Sequence, residues 1–262
     1  MTRSHRSRKK EKGPSLKAFA QSSNLEKTTG IMTAKAEPAE NLESGVAQLY
    51  RHRFPVGVLT RRTEVWSVLC RSWFAKYIPP SAKVVEVAAG YCEFINNVMA
   101  VERVAVDLNP ETKIHAAPGV IVYEVPAERL ADIIERGHFD TAFMSNFLEH
   151  CRSRDQVLAV LRAVSVVLKP GGRLLILGPN FRYCYKDYFD YFDHHLALTE
   201  KAVIEALQLS GFEVEVVEPR TLPFTFRRRL PSWPWIVWLY LRLPYLWRIF
   251  GSQFFIVGKK SL

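Results

Sequence analysis

Hydrophobic and polar positions follow helix-like and strand-like spacings in turn from about residue 63 onward. Between Thr63 and Tyr77 the apolar side chains recur every three or four residues, which predicts an α-helix. Short apolar runs predict seven strands, at 83–87, 104–107, 120–123, 139–144, 173–177, 212–217 and 254–257. Helical patterns over 155–168 and 199–209 separate the later strands, and a Pro-Gly-Gly sequence at 170–172 is predicted to end the first of these helices. The alternation predicts an α/β fold, with a mostly parallel seven-stranded sheet, helices on both faces and a late antiparallel strand pair.

Positive charge is concentrated at the two ends of the chain. The formal net charge is +10, yet residues 1–12 hold six basic residues against one acid, and residues 220–262 hold eight basic residues and no acid. The segment between them is therefore mildly acidic. A nucleic-acid-binding domain is more typically basic over its folded body, whereas basic ends suit an anionic membrane surface.

The composition separates a tail from a globular domain. Residues 1–45 are polar and lack periodicity, so we expect a disordered basic tail, with one domain over residues 46–262. The four cysteines are widely spaced and contain no C-x-x-C pair, and we expect no metal site in this protein. This cysteine usage indicates a reducing compartment, and we expect a cytoplasmic protein.

The first predicted strand leads into the turn EVAAGYC at 86–92, and the second ends at Asp107. Ligands of open α/β sheets bind beyond the carboxyl ends of the strands, where a carboxylate can accept hydrogen bonds from ribose hydroxyls. At this point the sequence resembles the class I S-adenosylmethionine-dependent methyltransferases, whose motif E/D-x-G-x-G-x-G falls on Glu86, Ala88, Gly90 and Cys92. The resemblance covers residues 60–260. It continues in order through VAVDLNP, FDTAFMSNFLEH, LKPGGRLLILGPN and LTEKAVIEALQLSGFEVEVVE.

The resemblance implies a Rossmann-like fold with S-adenosylmethionine as cofactor. It implies that Glu86 lies near the cofactor's amino-acid end and that Asp107 holds the ribose. The full set of implied cofactor-binding positions is Glu86, Ala88, Gly90, Asp107, Leu108, Ala127, Ser145 and Asn146. Alanine fits a tight turn without strain only where φ is negative. Because Glu86, Gly90 and Asp107 are retained, we expect a reshaped but intact site, the alternative being a degenerate site that binds the cofactor poorly. A dinucleotide dehydrogenase would instead need a third glycine at position 93, which is Glu93.

Three histidines are candidates for handling a proton during methyl transfer. A hydroxyl acceptor must lose its proton, and histidine is the usual base near neutral pH. His150 follows the fourth predicted strand, and His194 and His195 follow the fifth. The loop before them is rich in tyrosine, and we expect an acceptor pocket there, the alternative being plain core packing. Its candidate substrate-contacting residues are Tyr183, Tyr185, Tyr188 and Tyr191.

An aromatic, arginine-rich insertion is predicted at about residues 227–250, between the last two strands. Its longest apolar run, 235–241, is much shorter than the roughly 20 residues of a membrane-spanning helix. Dense tryptophan with flanking arginine is typical of an interfacial element. We therefore expect peripheral contact with the inner face of a membrane through Trp235, Trp238 and Trp247, the alternatives being a dimer interface or a lid.

The function predicted from these features is methyl transfer from S-adenosylmethionine to a hydroxyl of a glycan or lipid-linked small molecule at a membrane surface. One alternative is a non-catalytic interaction protein with a cofactor-binding fold at the membrane. Another is a nucleic-acid methyltransferase, but the N/D-P-P-Y/F block of many such enzymes is replaced by Ser-Asn-Phe-Leu at 145–148. We do not expect a nucleic-acid partner.

Overall fold

The structure is a computed structural model, and it describes residues 45, 48–49, 51–53, 56–224 and 232–261. The tail predicted over residues 1–45 lies outside this part of the chain except for Gly45. Residues 225–231, which include the start of the predicted insertion, also lie outside it.

Seven strands form one sheet in the order β3-β2-β1-β4-β5-β7-β6. The first five strands run parallel, whereas β7 is antiparallel to both β5 and β6. The predicted fold class, with its late antiparallel pair, is confirmed. The strands are β1 Lys83–Val87, β2 Glu102–Val106, β3 Val120–Tyr123, β4 Phe139–Ser145, β5 Leu168–Pro179, β6 Phe212–Glu218 and β7 Gln253–Lys260.

Helices and single helical turns connect these strands. Two helices of the predicted insertion begin with proline, which suits the first helical position because proline lacks an N–H. The α-helices are α1 Val56–Ser72, α2 Thr112–His115, α3 Leu130–Ile133, α4 Arg154–Val167, α5 Phe181–Cys184, α6 Glu200–Leu209, α7 Pro234–Arg242 and α8 Pro244–Phe250.

Apolar side chains cover both faces of the sheet. Successive residues of a strand point to opposite faces, so Val85 packs under α4 and α6 while Val84 packs under α1 and α7. The face beneath α1 is aromatic, and Phe94 stacks on Phe143 with ring centroids 3.7 Å apart. With both faces covered, the carboxyl ends of β1, β4 and β5 border the cavity described below.

The bounds of the first predicted helix are wrong, whereas the helix predicted over 155–168 ends within one residue of the expected position but without the expected stop signal. The first helix begins at Val56, earlier than Thr63, and ends at Ser72 before a 3-10 turn. Helix α4 ends at Val167, so the Pro-Gly-Gly sequence lies inside β5 and does not end the helix. The physical reason is a register shift of β5 against β4, in which Gly171 has a φ of +75°. A side chain at Gly172 would lie 2.9 Å from a backbone oxygen.

Candidate cofactor and acceptor site

A cavity of about 280 Å³ lies at the carboxyl ends of β1, β4 and β5. The motif turn contributes Glu86, Ala88 and Gly90 to its wall, and Ser145 and Asn146 line it after β4. Five of the eight predicted cofactor-binding positions therefore lie together on one cavity.

The motif turn keeps a left-handed backbone at all three positions where the family has glycine. The φ values are +58° at Ala88, +52° at Gly90 and +59° at Cys92. Two side chains thus occupy a conformation that favours glycine, and the turn is strained there. Ala88 lines the cavity, whereas Cys92 is buried, with its Sγ 3.6 Å from the backbone oxygen of Thr112.

Asp107 fixes this turn from the end of β2. Its carboxylate accepts the Gly90 N–H at 2.6 Å and the Asn109 N–H at 2.7 Å. Burial raises the pKa of Asp107, and these two amides oppose the shift. Each carboxylate oxygen can accept a further hydrogen bond, so the group can still receive ribose hydroxyls. Leu108 is exposed and Ala127 is buried in the core, and neither of these residues lines the cavity. Asp107 is also absent from the cavity lining, and it acts on the cavity wall through Gly90.

Glu86 is a buried carboxylate on the cavity wall. It accepts the Ile95 N–H at 2.9 Å. Burial raises its pKa well above the ordinary value, and the Ile95 amide opposes this. The neighbouring carboxylates of Glu93 and Asp107 raise the pKa further. A buried carboxylate facing a cavity is best satisfied by a cation, which suits the ammonium group of an amino acid.

A histidine held in one orientation lies on the other side of the cavity. The Nδ1 atom of His150 lies 2.9 Å from the backbone oxygen of Asp193 and 3.2 Å from its carboxylate. Because a carbonyl oxygen only accepts, Nδ1 carries the proton, and Nε2 of the neutral ring is an acceptor. Arg53 pairs with both oxygens of Asp193, at 2.6 and 3.2 Å, and so holds this orientation.

Glu149 and His194 complete a cluster with His150. One ligand atom from each of the three side chains lies within 4.8 Å of the others, and all three line the cavity. Burial lowers the pKa of His194 to about 4. The Nδ1 atom of His194 is buried without a hydrogen-bond partner among the described residues. Sequence reasoning did not single out Glu149 or Arg53.

A family model described as a methyltransferase domain matches residues 85–176, which run from β1 into β5. The chain therefore contains a region that matches a methyltransferase domain. No curated protein matches the sequence.

Solved structures similar to this methyltransferase have low sequence identity and show a common fold. A methyltransferase of Archaeoglobus fulgidus is 16% identical with a TM-score of 0.58, over 81% of this chain and 99% of its own. A possible histamine N-methyltransferase of Thermotoga maritima is 17% identical with a TM-score of 0.58, over 82% and 100%. A putative methyltransferase of Bacillus halodurans is 15% identical with a TM-score of 0.54, over 76% and 99%.

The cofactor of this methyltransferase family is S-adenosylmethionine, and the residues present fit it. Glu86 offers a buried carboxylate for its ammonium group, and Asp107 offers acceptors for its ribose. Apart from Glu86, the motif turn places only small residues on the cavity wall, namely Ala88, Ala89 and Gly90.

The predicted acceptor residues of the methyltransferase separate into two groups. His150, His194 and Tyr191 line the cavity. His195 is exposed, Tyr188 is buried with its hydroxyl donating to the Leu196 oxygen, and neither lines the cavity. Tyr185 is exposed and Tyr183 lies under Arg220, and both are outside the lining as well.

The aromatic insertion presents part of its apolar surface to solvent. Trp235 and Trp238 are exposed, whereas Trp247 packs on Trp73 and donates its Nε1 hydrogen to the Tyr240 oxygen at 3.0 Å. We call the exposed large apolar side chains of this segment the aromatic patch. Its members are Trp233, Trp235, Trp238, Leu239, Tyr245 and Ile249. No helix in the part of the chain that the structure describes is long and apolar enough to span a bilayer.

Proposed function

We propose that this methyltransferase acts on a hydroxyl group of a glycan or lipid-linked small molecule at a membrane surface. The proposal rests on one observation: the cluster of Glu149, His150 and His194 shares a single cavity with the cofactor turn. A hydroxyl needs a group that removes its proton, and an acceptor that is already a neutral amine needs none.

When bound, S-adenosylmethionine supplies an electrophilic methyl group on a sulfonium. Glu86 and Asp107 would hold the cofactor at the motif turn, and the cluster would hold the acceptor hydroxyl across the cavity. Nε2 of His150 would accept the proton that the acceptor hydroxyl gives up as its oxygen takes the methyl group from the sulfonium, which leaves the thioether of S-adenosylhomocysteine. Fixing the two reactants in this way supplies a large part of the rate, on the order of 7–11 kcal/mol in well-oriented systems.

Arg53 and Asp193 support this role as positioning residues. Burial alone would raise the pKa of Asp193, yet the hydrogen bond from Arg53 and the charge of that guanidinium hold it below the usual range. Asp193 therefore stays a carboxylate and keeps the Nδ1 hydrogen of His150 in place. The Nε2 atom of His150 is then left as an acceptor in the cluster, 4.0 Å from Glu149.

The membrane part of the proposal rests on the aromatic patch. Arg242 lies 4.0 Å above the Trp238 ring, and Arg248 is exposed on α8. With no acidic residue over 220–262, this surface suits anionic lipid headgroups. Ser232, two residues before α7, lines the cavity. A lipid-linked acceptor anchored in the membrane beside the patch would have a short path to the site.

The test is methyl transfer from radiolabelled S-adenosylmethionine to polyprenyl-linked sugars, with matched water-soluble glycans as a second acceptor set. We expect labelled product with the wild-type protein and a loss of roughly 10²–10⁴-fold with His150→Ala. His138→Ala is the control, because His138 precedes β4 at the opposite end of the sheet, where it pairs with Glu102. Transfer unaffected by His150→Ala would contradict the proposed role of the cluster.

A further inference from the structure

Three side chains on the cavity wall have the chemistry of a metal site. Glu149 offers a carboxylate, and His150 and His194 each offer an imidazole nitrogen. We infer that these three residues bind a divalent transition-metal ion, and that this ion holds the acceptor hydroxyl. This inference rests on the proposed function and names how the cluster performs it.

The spacing of the ligand atoms is close to what a single ion needs. Nε2 of His150 lies 4.0 Å from Oε1 of Glu149, and all three ligand atoms lie within 4.8 Å of one another. An ion bound about 2.0–2.2 Å from each ligand brings them to within roughly 4 Å of each other. Side-chain rotations that move each ligand atom by less than about 1 Å would therefore bring all three atoms within bonding distance of one ion.

The surroundings of His150 match those of a metal ligand. A ligating histidine usually donates its second ring N–H to a carboxylate or backbone carbonyl, which fixes the tautomer and the ring. The Nδ1 atom of His150 donates to Asp193, and Arg53 in turn holds the Asp193 carboxylate. This outer shell keeps the Nε2 lone pair of His150 available to the ion.

The other two proposed ligands are buried, which also supports a metal site. Glu149 is only 3% exposed, and a buried carboxylate needs a cation close by. His194 is buried with a ring nitrogen that has no hydrogen-bond partner in the described part of the chain. A bound ion would satisfy both groups. A buried polar group without a partner is rare in folded proteins.

Two imidazoles and one carboxylate leave several coordination positions open to the cavity. Such a set is typical of divalent transition metals, and its open positions accept substrate or water. A hydroxyl bound there would have a lowered pKa and would lose its proton to solvent, after which its oxygen takes the methyl group. In the metal-loaded protein His150 is thus a metal ligand. The ion replaces the base, because it lowers the pKa of the bound hydroxyl.

The experiment uses the full-length protein after chelation and dialysis, titrated with Co²⁺ and followed by visible absorption and calorimetry. We expect one equivalent of Co²⁺ to bind. Glu149→Gln and His194→Ala should weaken binding by more than the 10–100-fold typical of outer-shell changes, and Asp193→Asn by about 10–100-fold. His138→Ala should bind as the wild type does. Circular dichroism and binding of S-adenosylmethionine check that each variant is folded.

No Co²⁺ binding by folded wild type, or equal binding by Glu149→Gln and His194→Ala, would overturn the metal site. If methyl transfer then still depends on His150, that residue acts directly as the base and the proposed function stands. A protein that binds Co²⁺ at the cluster but transfers no methyl group to any hydroxyl acceptor would leave the metal site in place. That result would remove the proposed acceptor class.

Discussion

Replacing Ala88 by glycine removes a side chain from a backbone that lies in the left-handed region. The φ of Ala88 is +58°, and its amide donates to the Val106 oxygen at 2.8 Å, which holds the turn in this conformation. We therefore expect Ala88→Gly to raise the free energy of unfolding, although glycine in regular structure usually lowers it.

The size of the effect is the difference between two contributions. A non-glycine residue in the left-handed region costs about 1–2 kcal/mol, and glycine loses roughly 0.5–1 kcal/mol more conformational freedom on folding. The expected net gain is about 0.5–1 kcal/mol. That corresponds to a rise in Tm of about 1–4 °C for a domain of this size. Cys92→Gly relieves the same strain but deletes a fully buried side chain, so we expect no gain there.

The assay is urea unfolding followed by circular dichroism, with Ala89→Gly as the matched control. Ala89 is the next residue, is buried and does not have a positive φ. Glycine at this position should therefore lower stability by about 0.5–1 kcal/mol. A loss of stability with Ala88→Gly as large as with Ala89→Gly would refute the left-handed assignment of the motif turn.

Three further changes test other parts of the account. Gly251→Ala would place a Cβ atom 2.6 Å from the Thr221 backbone oxygen. It should cost at least 1–3 kcal/mol in urea unfolding, and a smaller loss would contradict the packing. Ser153→Ala removes the side-chain cap at the start of α4, and we expect a loss of about 1 kcal/mol, with Ser153→Gly losing less. Changing Trp235 and Trp238 together to alanine should weaken sedimentation with phosphatidylglycerol vesicles. Unchanged sedimentation would contradict membrane contact through the patch.

The sheet was predictable because each strand leaves a local signature. The apolar runs are short, and strands buried on both faces have apolar residues at successive positions, as β1 does at Val84 and Val85. The side chain of Thr199 caps the start of α6, as short polar residues commonly do. This helix could therefore also be predicted from residues close together in sequence. The end of α4 was predicted to within one residue, but the extension of β5 through Gly171 and Gly172 could not be predicted, because it depends on pairing with β4.

The site was only partly predictable for the same reason. The motif turn and His150 each follow a predicted strand closely in sequence, so their place near the ends of β1 and β4 was predictable. The contact between Arg53 and Asp193 joins residues 140 positions apart, and no local pattern indicates it. Likewise, only the folded chain shows that His194 and not its neighbour His195 faces the cavity.

The central claim is that the motif turn and Asp107 form a working site for S-adenosylmethionine despite Ala88 and Cys92. Calorimetric titration of the purified protein with S-adenosylmethionine tests it most directly, beside Asp107→Ala and the control Asp132→Ala, which changes an exposed ion pair with Arg129. The account predicts one bound equivalent for the wild type and the control, and binding at least tenfold weaker for Asp107→Ala, about 1.4 kcal/mol. A folded wild-type protein that binds no S-adenosylmethionine would contradict it.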